Sequence, residues 1–286
     1  MIRLHEDPTL FREAVGTTQL GTGFAGRLIE KDYFCSVLLE YLAAAEAALV
    51  FKGGTCLAKV YAEFYCLSED LDFVIPMAVG AVRAAQSKRT TRLKKVIAKL
   101  SERLSAFRTI QPLIGANNLT QYAAILGYRS LLSGREESIK IEVGLREPLL
   151  APVFEGSAKT ILLDPVSGKP LVMPVFFHCI SKKEAFAEKF RAALSRRDVA
   201  IRDYFDLDYA VRRLDLRPGD PELIGLVRQK LAVPGNEPVN VSEDRLAALR
   251  PQLDSQLKPV LRPKDFAEFN LDRAFRIVAG MAAKVC

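Results

Sequence analysis

The stretch Phe51-Lys52-Gly53-Gly54-Thr55, with Glu69-Asp70-Leu71-Asp72-Phe73 fourteen residues further on, decides how this chain is read. Ala48 to Phe51 is a short apolar run that stops at the two glycines. Thr55 to Ala62 then carries Leu57, Val60 and Tyr61 at helical spacing, so the pattern predicts strand, glycine turn, helix. A diglycine turn allows backbone to approach a phosphate, and amides at a helix start favour that anion. Gly53, Gly54 and Thr55 are therefore candidate nucleotide-binding residues.

From Leu67 to Ile75 apolar and charged residues alternate. Leu71 and Phe73 are predicted to face one way, Asp70 and Asp72 the other. Two carboxylates held that close repel each other unless a cation lies between them, and magnesium on a nucleoside triphosphate would supply it, with manganese as the alternative ion. Ser138 to Val143 alternates in the same manner, setting Ile139, Ile141 and Val143 against Lys140 and Glu142. Glu142 is the candidate third carboxylate beside Asp70 and Asp72, for metal binding and for catalysis.

The chain holds neither the Gly-x-x-x-x-Gly-Lys-Ser/Thr loop nor a strand-borne Gly-x-Gly-x-x-Gly fingerprint. Gly21 to Gly26 matches the latter in letters, but no strand precedes it, and it is expected to be a flexible lead into a helix beginning near Arg27.

Taken together, Lys52 to Tyr61, Ser68 to Phe73, Ile139 to Val143 and a fourth block, Glu188 to Leu194 continuing to Arg202-Asp203-Tyr204-Phe205-Asp206-Leu207, resemble the nucleotidyltransferase AbiEii/AbiGii toxin family of the DNA polymerase beta-like superfamily. The resemblance implies an α+β fold, with a polymerase beta-like core and a helical C-terminal domain contributing to the active-site cleft. It implies a magnesium-dependent enzyme that moves a nucleoside monophosphate from a nucleoside triphosphate, acting as the toxin of a bacterial toxin–antitoxin pair with a cognate antitoxin. Some similar toxins modify the acceptor end of tRNA and so stop translation. By the same analogy Lys189 and Asp206 join the catalytic set, Asp203 has a structural role, and Ser68 belongs to the nucleotide-binding block. The family carries an arginine two residues before that serine, where this chain has Cys66; Lys52 or Lys59 is the candidate for the missing positive charge.

Composition sets wider bounds. With 286 residues and 49% hydrophobic content, one large domain or two fused ones are expected. The boundary is placed near residue 180, between a mixed α/β core (1–180) and a helical part (181–286). The five cysteines show no paired spacing and read as reduced, mostly buried thiols. His5 and His178 are the only histidines, which argues against histidine-based nucleophilic catalysis. Without a membrane-length apolar run or a secretory pattern, a soluble cytoplasmic protein is expected.

Charge is concentrated. Between Val79 and Arg108 nine basic residues face one acid, +8 against +7 for the whole chain, so the remainder carries −1. Leu93, Val96, Ile97, Leu100, Leu104 and Phe107 recur at helical spacing, and Lys88, Arg92, Lys95, Lys99 and Arg103 fall on a neighbouring face. Such a stripe suits a nucleic-acid acceptor, an acidic antitoxin or plain solvation.

Ser181-Lys182-Lys183-Glu184 reads as a capping box. Further helices are expected over 198–213, 221–231, 242–257 and 264–284. The leading expectation is transfer to RNA, with the tRNA 3′ end as acceptor. Transfer to a protein side chain, or a non-catalytic nucleotide or nucleic-acid-binding module, are the alternatives.

Overall fold

The computed structural model describes residues 2–116, 120–146 and 148–286. The chain divides into two compact units, Met1–Ile180 and Ser181–Cys286.

In the first unit, helix α1 (Pro8–Thr22) starts on Asp7, whose carboxylate accepts from the Thr9 and Leu10 amides. It ends on Gly23, whose φ of 80° places it in the left-handed region favoured at helix ends. The expected flexible lead from Gly21 to Gly26 is thus corrected: Gly21 and Thr22 close α1, Gly23 caps it, and α2 (Gly26–Ala45) begins three residues later. Helix α2 is buried on nearly every side, including the consecutive charged residues Glu30, Lys31 and Asp32.

The strands are β1 (Val50–Lys52), β2 (Leu71–Val74), β3 (Phe107–Ala116), β4 (Gln121–Arg129), β5 (Glu136–Gly144), β6 (Phe154–Ala158) and β7 (Val175–Cys179). They form a sheet in the order β3-β4-β5-β2-β1-β7-β6, with β2–β5 and β1–β7 parallel and the other neighbours antiparallel. A mixed sheet of this order requires crossovers, and the one from β2 to β3 runs through two helices. On one sheet face Phe51, Phe73 and Phe177 pack together with ring centroids 5.5–6.0 Å apart, and Leu71, Ile141 and Val143 are buried with them. By the two-residue alternation of strands, Lys52, Asp72, Lys140 and Glu142 fall on the opposite face, and each is only partly buried.

Between β1 and β2 the chain forms α3 (Gly53–Cys56), which passes directly into a π-helical turn, Leu57–Tyr61. The helix therefore starts two residues before Thr55, at the glycines themselves. The extended segment expected over 67–75 contracts to β2. Helix α4 (Arg83–Ala98) and the short α5 (Leu100–Arg103) carry the basic stripe, but Phe107 opens β3 instead of continuing the helix.

In the second unit, α6 (Lys182–Ser195) is capped by Ser181, whose hydroxyl accepts from the Glu184 amide at 3.2 Å. Glu184 is buried and its carboxylate pairs at 2.7 Å with the equally buried Lys230 on α8 (Pro221–Leu231). Helix α7 (Ile201–Arg213) packs against α6 and the C-terminal α11 (Leu271–Val285). The helix expected over 242–257 breaks into α9 (Glu243–Leu249) and later turns, because Pro251 lacks the amide that would continue the helical hydrogen bonds, even though Arg250 before it keeps helical geometry. The one expected over 264–284 is likewise interrupted: α10 (Pro263–Glu268) stops, and Asn270 starts α11 anew by accepting from the Arg273 amide. No helix among the described residues is long and apolar enough to cross a membrane.

Candidate active site

The site is assembled by strand register. Lys52 on β1 is paired with Asp72 on β2, and Asp72 is paired with Glu142 on β5. Three residues separated by 20 and 70 positions thus stand side by side across three strands, on the half-open face of the sheet. Asp70 lies just before β2, and its backbone carbonyl accepts a hydrogen bond from the hydroxyl of buried Thr55. Thr55 therefore ties the start of α3 to the aspartate segment.

Gly53 makes the juxtaposition possible. Its φ is +75°, and a Cβ placed on it would come within 2.8 Å of the Asp72 Cγ. Only glycine offers both the left-handed conformation and the room. Gly54 is less constrained: its nearest neighbour is the Ser68 hydroxyl, 3.5 Å from an added Cβ. Gly53, Gly54, Thr55, Ser68, Asp70 and Asp72 are thereby brought to one turn.

Glu142 is engaged by its own strand and by β4. Lys140 Nζ lies 2.6 Å from Glu142 Oε1, and the Gln121 amide donates to the same oxygen at 3.1 Å. The hydrogen bond to Glu142 raises the Lys140 pKa, with Asp70 and Asp72 adding to the effect. Burial pushes the Asp70 carboxyl above its ordinary range, opposed by Lys31 and Lys140 and reinforced by Glu142. Lys140 accordingly sits in the field of all three acids.

Carboxylate oxygens are the donors that a hard divalent cation takes, so the chemistry of Asp70, Asp72 and Glu142 fits magnesium or manganese. Among the described residues, however, no group of three or more acid, histidine or cysteine side chains is drawn together closely enough to hold a metal ion. Strand register sets Asp72 beside Glu142, and Asp70 lies just ahead of β2. Glu142 is turned to Lys140 and Gln121.

Lys59, expected to bind nucleotide, is placed elsewhere. It is fully buried, with Nζ 2.6 Å from Asp32 Oδ1, 2.9 Å from the Ser36 hydroxyl and within 3.3 Å of the Asp32 and Lys159 carbonyls. An ammonium has only three protons, and these acceptors in the interior use them. Beside Lys52 and Lys140, positive charge near the aspartates comes from α2, which sequence reasoning missed. Arg27 and Lys31, one helical turn apart, reach Glu69 Oε1 at 2.5 and 3.2 Å. The i, i+4 spacing of two cations was visible in the sequence; their target was not. Cys66 is buried, as are Cys35, Cys56 and Cys179, while Cys286 is exposed; all five are free thiols.

On α4 and α5 the side chains of Lys88, Arg92, Lys95, Lys99 and Arg103 are exposed. Arg92 differs from the rest: it donates to the Ala45 carbonyl at 3.0 Å and lies 3.6 Å from Glu46. It helps hold α4 to the end of α2.

Within the second unit Lys189 Nζ bridges Asp203 at 2.9 Å and Asp206 at 2.6 Å, and Arg196 approaches Asp203 at 3.2 Å. Both aspartates are buried. Asp203 and Asp206 thus share one lysine. The two aspartates drive the Lys189 pKa upward despite its burial. Burial alone would raise Asp203, but Lys189 and Arg196 outweigh it and hold its carboxyl below the usual range.

A mixed sheet with two carboxylates after a glycine turn and a third on the adjacent strand defines a nucleotidyltransferase-type core. The family model described as nucleotidyl transferase AbiEii toxin, type IV toxin–antitoxin system, matches residues 37–276, and the chain belongs to that family of nucleotidyltransferases. Among solved structures the chain is similar to MenT4, a nucleotidyltransferase toxin from Mycobacterium tuberculosis, with 20% identity over 95% of this chain and 97% of that one and a TM-score of 0.58. It is also similar to JHP933 from Helicobacter pylori, with 14% identity over 92% of this chain and 93% of that one and a TM-score of 0.51. At these identities the likeness concerns the fold. No curated protein matches the sequence.

Proposed function

We propose that this nucleotidyltransferase toxin uses magnesium, or manganese in its place, to transfer a nucleoside monophosphate from a nucleoside triphosphate to RNA, with the tRNA 3′ end as acceptor, and thereby stops translation. The observation that carries the reading is the alignment of Asp72 with Glu142 beside the Gly53–Gly54 turn. The turn admits the triphosphate to backbone, and Asp70, Asp72 and Glu142 would hold the cation, which neutralises charge on the phosphates. The acceptor hydroxyl attacks the α-phosphorus, the new phosphodiester bond forms as the bond to pyrophosphate breaks, and Glu142 takes the hydroxyl proton. Lys189 and Asp206 are assigned to catalysis on the family resemblance.

The exposed cationic residues of α4 and α5 favour a polyanionic acceptor over a protein one, because neutralised phosphates dominate nucleic-acid affinity. Incubating the protein with labelled nucleoside triphosphates, magnesium and either total RNA or total cell protein tests this. Label in the small RNA fraction, lost with Asp72→Ala, is the expected result. Label confined to protein redirects the acceptor, and absence of label from both overturns transfer.

A further inference from the structure

We propose that the cationic stripe of α4 and α5 holds the body of the acceptor RNA behind the sheet, at a distance from Asp72 and Glu142, so that its 3′ strand passes round the β3 edge to reach them and short acceptors bind poorly. The inference rests on the RNA-transfer reading above.

Strand parity fixes the placement. Tyr122 on β4 is the register partner of Val143 on β5, Val143 is that of Phe73 on β2, and all three are buried on one face of the sheet. Ala123, the next residue, is paired with Glu142 and falls on the opposite face. Helix α4 lies against the buried side: Leu93 and Ile97 are fully buried, Lys94 Nζ stands 5.0 Å from the centre of the Tyr122 ring, and the Tyr41 hydroxyl of α2 donates to the Val96 carbonyl at 3.1 Å. The stripe occupies the outer side of that helix. One helix and the sheet therefore separate it from Glu142, roughly 15–20 Å, and a nucleotide at Glu142 does not touch it.

The stripe is also unneutralised. Lys88, Lys95, Lys99 and Arg103 are exposed, and none of them is ion-paired with a described residue. A row of like charges repels itself, and the regular spacing of backbone phosphates relieves that repulsion. Helix α4 packs on β3, the edge strand. Past that edge Arg108, which also meets Glu136 at 3.0 Å, and then Lys140 continue the positive charge onto the open face towards Glu142.

The test is transfer by the full chain, with labelled nucleoside triphosphates and magnesium, to RNA hairpins that share one unpaired 3′ end and have stems of about three to about twelve base pairs. At about 3.4 Å per pair, KM for the wild type should fall about tenfold once the stem exceeds roughly six pairs, with kcat level, and the fall should fade at high salt. In the triple variant Lys88→Gln, Lys95→Gln, Lys99→Gln that step should vanish and the salt slope should drop by roughly two, with melting curves as a check on folding. A wild-type KM independent of stem length, or a step that survives in the triple variant, would overturn the proposal and leave RNA transfer standing. Loss of polyglutamate binding by that variant would then assign the stripe to an acidic protein. Absence of label from every RNA would overturn the proposal together with the RNA-transfer reading.

Discussion

Asp72 packs its carboxyl group against the α-carbon of Gly53, so that a Cβ on that glycine would lie 2.8 Å from Asp72 Cγ. Gly53→Ala should therefore do two things at once. Forcing a side chain into φ +75° costs about 1–3 kcal/mol, and the Cβ pushes the carboxylate out of line. Denaturant unfolding should show that loss and a transfer assay should show little product. Gly54→Ala, whose added methyl meets its neighbours at ordinary distances, should unfold within about 1 kcal/mol of wild type.

Asp70→Ala and Asp72→Ala are expected to abolish transfer and toxicity with the fold retained, because breaking the aspartate pair leaves too few carboxylates to hold the ion that neutralises the triphosphate. Product formation at near wild-type rate by either variant would reject the paired-carboxylate site.

Lys59 is expected to matter to stability. Removing one partner of its buried pair with Asp32 leaves an uncompensated charge, and Lys59→Met should cost about 3–5 kcal/mol. Adding Asp32→Asn should recover part of that loss in a double-mutant cycle. A melting temperature unchanged in Lys59→Met would contradict the pairing.

The Lys189, Asp203 and Asp206 cluster predicts a particular pH dependence. The folded pKa of Asp203 lies below its ordinary value of 3.8, so its contribution is present above that value and is lost as pH falls through the lower, folded one. The folded pKa of Lys189 lies above 10.5, so its contribution is present below that value and is lost only as pH rises beyond it. Between these limits the cluster should stabilise evenly. Lys189→Met should lower stability at pH 7 and flatten the acid limb of the stability curve below about pH 4, measured by urea unfolding. Asp206→Asn keeps an acceptor for Lys189 and leaves Asp203 in place, so it should stay folded; loss of transfer in that variant would support the catalytic assignment.

The cationic face can be probed without disturbing packing. Lys88→Gln, Lys95→Gln and Lys99→Gln together should weaken RNA binding and flatten its salt dependence, by roughly 0.7 in the log–log slope for each phosphate that is no longer neutralised. Arg92 is better left alone, since it is tied to Ala45 and Glu46. RNA affinity unchanged across a salt series would assign the stripe elsewhere.

Local chemistry, which a sequence carries openly, determined much of this protein. The apolar run into Gly53–Gly54 marks a strand meeting a helix start, and the alternation from Ser138 to Val143 assigns Glu142 and Lys140 to one face, because side-chain direction in a strand follows from sequence parity alone. Segment ends were less legible. The breaks at Pro251 and Asn270 depend on single residues that interrupt patterns otherwise continuous. Tertiary structure decided what lies beside what. Register between β2 and β5 set Glu142 against Asp72, and the approach of α2 buried Lys59 on Asp32 while sending Lys31 and Arg27 to Glu69. These pairings join residues 27 to 70 positions apart. No periodicity within either segment encodes its partner, since strand register and helix docking are chosen by the burial of the whole core.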